Sequence, residues 1–86
     1  MLTAEHIAEL RRSKPSNRNR LVKAMELANV TQVELAEAVG STQPRISSIC
    51  NGRFREDGLA LETTRRFAEF FGCDIDDLFP ARVEVG

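Results

Sequence analysis

The side chains able to do chemistry are few, and most are scattered. The 86-residue chain has a single histidine, His6, and two cysteines, Cys50 and Cys73. No CxxC pair or neighbouring histidine accompanies those cysteines, so neither a zinc site nor a disulfide framework is expected. They read as reduced, half-buried thiols. Asp74, Asp76 and Asp77 resemble the start of a calcium loop, but the glycine and distal glutamate of such a loop are missing. Helix capping explains them better. Glu34 and Glu37 lack partners, and no Ser/His/Asp or Cys/His set can be assembled, so catalysis is not expected. What remains is a cluster of hydrogen-bonding side chains in one stretch: Gln43, Arg45, Ser47 and Ser48, with Gln32 eleven residues upstream. A glutamine amide can pair bidentately with adenine N6 and N7, an arginine can read guanine or hold a phosphate, and serines make close or water-bridged contacts. A solvated helix face would look the same if nothing fixed its orientation.

The elements around that cluster supply the orientation. Thr31-Gln32-Val33-Glu34 has the form of a capping box, with the threonine hydroxyl and the glutamate carboxylate each accepting from the other's backbone amide. A helix follows through Leu35, Ala36, Ala38 and Val39 to Gly40. Ser41 or Thr42 caps a second helix, running to Cys50, in which Pro44 costs little because first-turn amides have no intrahelical partner. So short a connection forces a steep crossing, the geometry of a helix-turn-helix. Ala36 provides the small residue at the contact and Gly40 the positive φ at the turn. Leu35, Val39, Ile46, Ile49 and Cys50 then point inward, leaving Gln43, Arg45, Ser47 and Ser48 outside.

The remainder also reads as helical. Thr3 to Ser13 has apolar residues at helical spacing (Ala4, Ile7, Ala8, Leu10), with Arg11 and Arg12 well placed at its C-terminus. Ser13-Lys14-Pro15-Ser16-Asn17 is a breaker cluster. The pattern predicts a helix from about Asn17 to Ala28, with Leu21, Ala24, Met25 and Ala28 as its stripe and Asn29 as a left-handed cap. After a basic loop with Arg53, Phe54 and Arg55, a helix over Leu61–Phe71 is expected to turn Leu61, Thr64, Phe67, Ala68 and Phe71 inward. Phe54 reads as a loop anchor and His6 as exposed. Asp74 caps a short last helix, and the tail alternates like a short strand.

Composition sets the limits. Apolar residues make up 42% and charged residues 29%, so the chain is globular, and five Phe are its only aromatics. One small, mostly aliphatic core is implied. No apolar run is long enough to span a membrane and the first residues do not form a secretory signal, so a cytoplasmic location is expected. The net charge of −1 hides a division. Residues 1–55 hold nine Lys/Arg against five Glu, and residues 56–86 hold three Arg against eight Asp/Glu. A basic half of this kind can steer one face toward an anionic partner.

The ordered set Gln32-x-x-Leu35-Ala36-x-x-Val39-Gly40-x-Thr42-Gln43-x-x-Ile46-x-x-Ile49-x-Asn51-Gly52 resembles the helix-turn-helix of the Cro/C1 (Xre) family, known from lambdoid phage repressors. Leu61-Glu62-Thr63, Phe67-Ala68-x-x-Phe71-Gly72 and Ile75-Asp76-Asp77-Leu78-Phe79 resemble that family's later helices. The resemblance implies an all-α, lambda-repressor-like domain of five or six compactly bundled helices over residues 17–80. Residues 1–16 form an extension helix and joint, and 81–86 a tail. It implies a small dimeric regulator of transcription, acting as a repressor on double-stranded DNA without a cofactor. The helix from Thr42 to Cys50 would enter the major groove.

Base contacts would then fall to Gln43, Pro44, Arg45, Ser47 and Ser48, and phosphate contacts to Gln32, Thr42, Asn51, Arg53, Arg55, Arg18 and Arg20. Pro44 stands where many relatives carry a polar residue, which removes one possible contact. Met25 and Cys50 stand where the family often has an Arg–Glu pair, an ion pair exchanged for apolar contact. Two expected dimer surfaces compete: the last helix and tail (Phe70, Phe79, Val83, Val85) and the first helix (Ile7, Leu10). Rival readings are an antitoxin with a toxin partner, a restriction-modification controller protein, and a helical scaffold without DNA binding.

Overall fold

Thr3 opens the first helix through a reciprocal cap. Its hydroxyl accepts from the His6 amide at 3.1 Å, and His6 Nδ1 accepts from the Thr3 amide at 3.4 Å. His6 is therefore half-buried in a capping role rather than fully exposed. The computed structural model describes residues 2–54 and 61–80. Among them are six helices: α1 (Ala4–Arg12), α2 (Leu21–Ala28), α3 (Gln32–Val39), α4 (Gln43–Cys50), α5 (Leu61–Phe71) and α6 (Ile75–Leu78). The expected tail strand lies outside the described residues. No helix among the described residues is long and apolar enough to cross a membrane.

Local signals set most of the boundaries. The expected Thr31–Glu34 capping box starts α3, with amide-to-side-chain distances of 2.8 and 3.1 Å. Gly40 ends it at φ +71°, and the Ser41 amide reaches back to the Ala36 carbonyl at 2.8 Å. Asn29 ends α2 in the left-handed region at φ 57°. The second helix is the exception. It begins at Leu21 rather than near Asn17, because Asn17 and Arg18 both take positive φ, 56° and 70°, which no right-handed helix accommodates. Ser16 and Asn19 instead pair across a tight turn.

The core is one cluster. It joins Leu10 of α1, Leu21, Ala24 and Met25 of α2, Leu35, Ala36 and Val39 of α3, and Ile46, Ile49 and Cys50 of α4 to Phe67, Phe71, Leu78 and Phe79. Met25 and Cys50 are both buried in it, which fits the exchange of an ion pair for apolar packing. Leu61 departs from expectation: it is exposed on the first turn of α5, while Thr64, Phe67, Ala68 and Phe71 face inward. Both expected dimer surfaces also lose residues to the core. Phe79 is 2% exposed and Leu10 is 0% exposed, so neither is available to a second copy. Phe70 and Ile7 are half-buried against the same core, and Val83 and Val85 lie outside the described residues.

The first helix is tied to the last by charge. Arg11 Nε donates to Asp77 Oδ1 at 2.7 Å, and Asp77 Oδ2 accepts from the Asp74 amide at 3.0 Å. Burial alone would raise the Asp77 carboxyl. The hydrogen bonds from Arg11 and Asp74, with the charges of Arg11 and Arg20, outweigh it and leave the pKa lowered. The stabilisation is therefore present above the ordinary aspartate range, about 3.9, and is lost as the pH falls through the depressed folded value. Asp77→Asn is expected to cost about 1 kcal/mol at pH 7, held down because the arginine side of the pair is half exposed and screened. Thermal melts of both proteins from pH 7 to pH 2 should show the gap closing below about pH 4. A gap that widens in acid would contradict the assignment.

Candidate nucleic-acid interface

Apolar packing fixes α4 from behind. Ile46, Ile49 and Cys50 are buried, which holds the helix against Leu35, Ala36 and Val39 of α3. Thr42 occupies the N-cap position and Pro44 lies in the first turn. Turned to solvent are Thr42, Gln43, Pro44 and Arg45 at the start of the helix, and Asn51 and Arg53 just past its end. Ser47 and Ser48 are half-buried rather than fully turned out, because the face they share borders the core-facing Ile46 and Ile49. Arg55 lies outside the described residues.

Gln32 and Gln43 make one unit. Gln43 Nε2 donates to Gln32 Oε1 at 2.6 Å, joining the first residue of α3 to the first residue of α4. The bond fixes both amides. One N–H of Gln43 is used, and its second N–H and its Oε1 remain to meet a base edge, a donor and an acceptor of the kind that adenine N7 and N6 take. Gln32 spends its oxygen, so its NH₂ remains a donor beside the first-turn amides of α3, where a phosphate is favoured. The sequence identified both glutamines, but not that they bond to each other.

Two expected phosphate contacts have other work. Arg20 donates to the carbonyls of Ser13, Arg11 and Asp77, and so holds α1, the joint and α6 together. Arg18 donates through Nη2 to the carbonyls of Gly52 and Phe54, with its guanidinium carbon 4.0 Å from the centre of the Phe54 ring. Phe54 is half-buried and meets Phe79 edge-on, with ring centres 6.3 Å apart. It is the loop anchor that its position suggested.

Sequence reasoning passed over Asn17 and Asn19. Asn19 is 1% exposed, and its amide donates to the carbonyls of Asn17 and Ile49 while its oxygen accepts from the Leu21 amide. Asn17 Nδ2 donates to the Cys50 carbonyl at 3.3 Å. Both therefore cap the C-terminal carbonyls of α4. The only signal was two asparagines in a turn-prone stretch, which says nothing about a partner thirty residues away. The cysteines are built for packing. Burial raises the Cys50 thiol, and burial followed by the charges of Asp77 and Asp74 pushes Cys73 up to about 12, so both stay protonated at neutral pH.

The helix-turn-helix family model, HTH_3, matches residues 21–78. That span begins at α2 and ends with α6, so α1 and the joint at residues 13–20 lie outside it. No curated protein and no solved structure matches the chain. The matched model describes a DNA-binding regulatory domain rather than an enzyme. With six helices among the described residues and the α3–α4 pair in place, the chain belongs to the helix-turn-helix family HTH_3, of the Cro/C1 (Xre) type, and is a DNA-binding transcriptional regulator.

Proposed function

We propose that the protein is a small cytoplasmic repressor that binds operator DNA as a twofold dimer, with residues 17–80 as the DNA-binding unit. Helix α4 enters the major groove. Gln43, Pro44, Arg45, Ser47 and Ser48 face base edges, while Gln32, Thr42, Asn51 and Arg53 hold the flanking phosphates. The observation that carries this reading is the 2.6 Å bond between Gln32 and Gln43, which leaves one amide set to read and the other set to anchor. Dimerisation is supported by size. The protein, α1 included, measures 29 × 28 × 20 Å, less than one turn of duplex, about 34 Å, and a single module of this kind buries too little DNA surface for useful specificity.

Selection of bound sites from random duplex DNA tests the reading. The enriched sites are expected to be inverted repeats with centres about 10 base pairs apart. Affinity for them should fall steeply with salt, because several phosphates are neutralised. Failure to enrich any sequence, or binding insensitive to salt, would rule the reading out in favour of a helical scaffold.

A further inference from the structure

The turn before α2 does more than join two helices. Three consecutive residues, Asn17, Arg18 and Asn19, direct side-chain donors at four carbonyls at the end of α4 and just beyond it. Asn19 takes Ile49 at 2.9 Å, Asn17 takes Cys50 at 3.3 Å, and Arg18 takes Gly52 at 3.0 Å and Phe54. Arg18 holds a left-handed φ of 70°, which a residue with a side chain adopts only when its surroundings hold it there. The contact is close on both sides. Gly52 takes φ +75°, and a Cβ there would lie 3.0 Å from the Asn17 carbonyl oxygen, so any other residue would be strained where the two segments meet.

The two carbonyls that Arg18 takes belong to the residues on either side of Arg53. The Arg53 amide itself donates to the Ser48 carbonyl at 2.8 Å. The backbone carrying Arg53 is thus fixed on three sides, twice by Arg18, and the flat guanidinium also lies against Phe54 next in sequence.

We propose that Arg18 is a positioning residue for DNA binding: it clamps the backbone on both sides of Arg53 and so presents Arg53 to a phosphate, without touching DNA itself. This rests on the assignment of Arg53 to the flanking backbone. It also gives the joint at residues 13–20, outside the family match, a part in recognition. The clamp needs an arginine, since Nη2, which reaches both carbonyls, stands one bond further along the side chain than a lysine Nζ, and a lysine ammonium has no flat face to lay on the ring.

The test uses the full chain and two duplexes, one carrying a selected site and one scrambled, titrated at several salt concentrations. Arg18→Ala and Arg53→Ala are each expected to lose roughly tenfold on both duplexes, with the salt slope lower by about one. The double variant should lose no more than Arg53→Ala alone, since both changes remove the same contact. Arg18→Lys should match Arg18→Ala, and it carries the comparison if alanine loosens the fold, which thermal melts will report.

Three results would overturn the proposal. Losses that multiply in the double variant, with wild-type binding kept by Arg18→Lys, would place the Arg18 charge on a phosphate. Unchanged binding in Arg18→Ala would show that the clamp does not matter. Unchanged binding in Arg53→Ala, while Gln32→Ala still weakens binding, would remove the contact that Arg18 is said to present and leave the DNA-binding reading standing.

Discussion

Phe79→Ala is expected to destabilise the protein by about 3–5 kcal/mol, the cost of deleting a fully buried ring and leaving a cavity. The residue is 2% exposed, and its ring lies 6.1 Å from that of Phe67 and 6.3 Å from that of Phe54. A domain of this size has a total stability of only about 4–13 kcal/mol, so the variant should sit near the edge of folding. Urea or thermal unfolding at several protein concentrations checks this. The loss should not depend on concentration, because the ring is part of a single-chain core. A loss confined to conditions that favour dimers would place Phe79 at an interface between copies instead. DNA binding should weaken along with stability, since Phe79 supports Phe54, which lies under Arg18 and directly follows Arg53.

The parts of the fold that were legible in sequence are those set by local chemistry. Thr31 and Glu34 cap α3 through bonds three residues apart, and Gly40 turns the chain where only a left-handed residue will do. Leu35, Val39, Ile46 and Ile49 repeat at the helical period that buries them. What the sequence left illegible lies where distant partners decide. Asn17 closes the breaker cluster, and nothing from there to Ala28 forbids a helix. What bends Asn17 and Arg18 out of one is a set of carbonyls thirty or more positions away, at the end of α4. Arg20 carries the charge of a phosphate contact, yet three of its five N–H groups go to Ser13, Arg11 and Asp77, points brought together only by folding.

Phe79 and Leu61 show the same division. Both are large and apolar near helix ends, where periodicity cannot say which way a side chain turns; packing buries one and leaves the other exposed. Within the candidate site, the exposure of Gln43 and Arg45 was legible because their neighbours in the repeat are apolar. The bond from Gln43 to Gln32 was not, because it depends on the crossing angle of two helices.

Gln43→Ala is expected to weaken binding to the preferred site by about 1–3 kcal/mol and to relax the preference at one base pair, leaving affinity for unrelated DNA almost unchanged. Gln32→Ala should act differently, lowering affinity for all sequences through loss of a phosphate anchor. Because the two side chains share a 2.6 Å bond, their effects should not simply add. Removing Gln32 also frees the Gln43 amide to rotate, so part of the base preference should go with it, and the double variant should lose less than the sum of the singles. Gln32→Glu separates the two roles. Its carboxylate still accepts from Gln43 Nε2 and so keeps the reading amide in place, but it sets a negative charge against the phosphate and removes the donor that would hold it. Affinity should therefore fall at least as far as in Gln32→Ala, while the ratio between preferred and altered sites stays near that of the unmodified protein. Gel-shift titrations on the preferred duplex and on single-base variants measure both quantities. If Gln32→Glu abolished the base preference, or Gln43→Ala left it intact, the division of reading and anchoring between these two glutamines would be wrong.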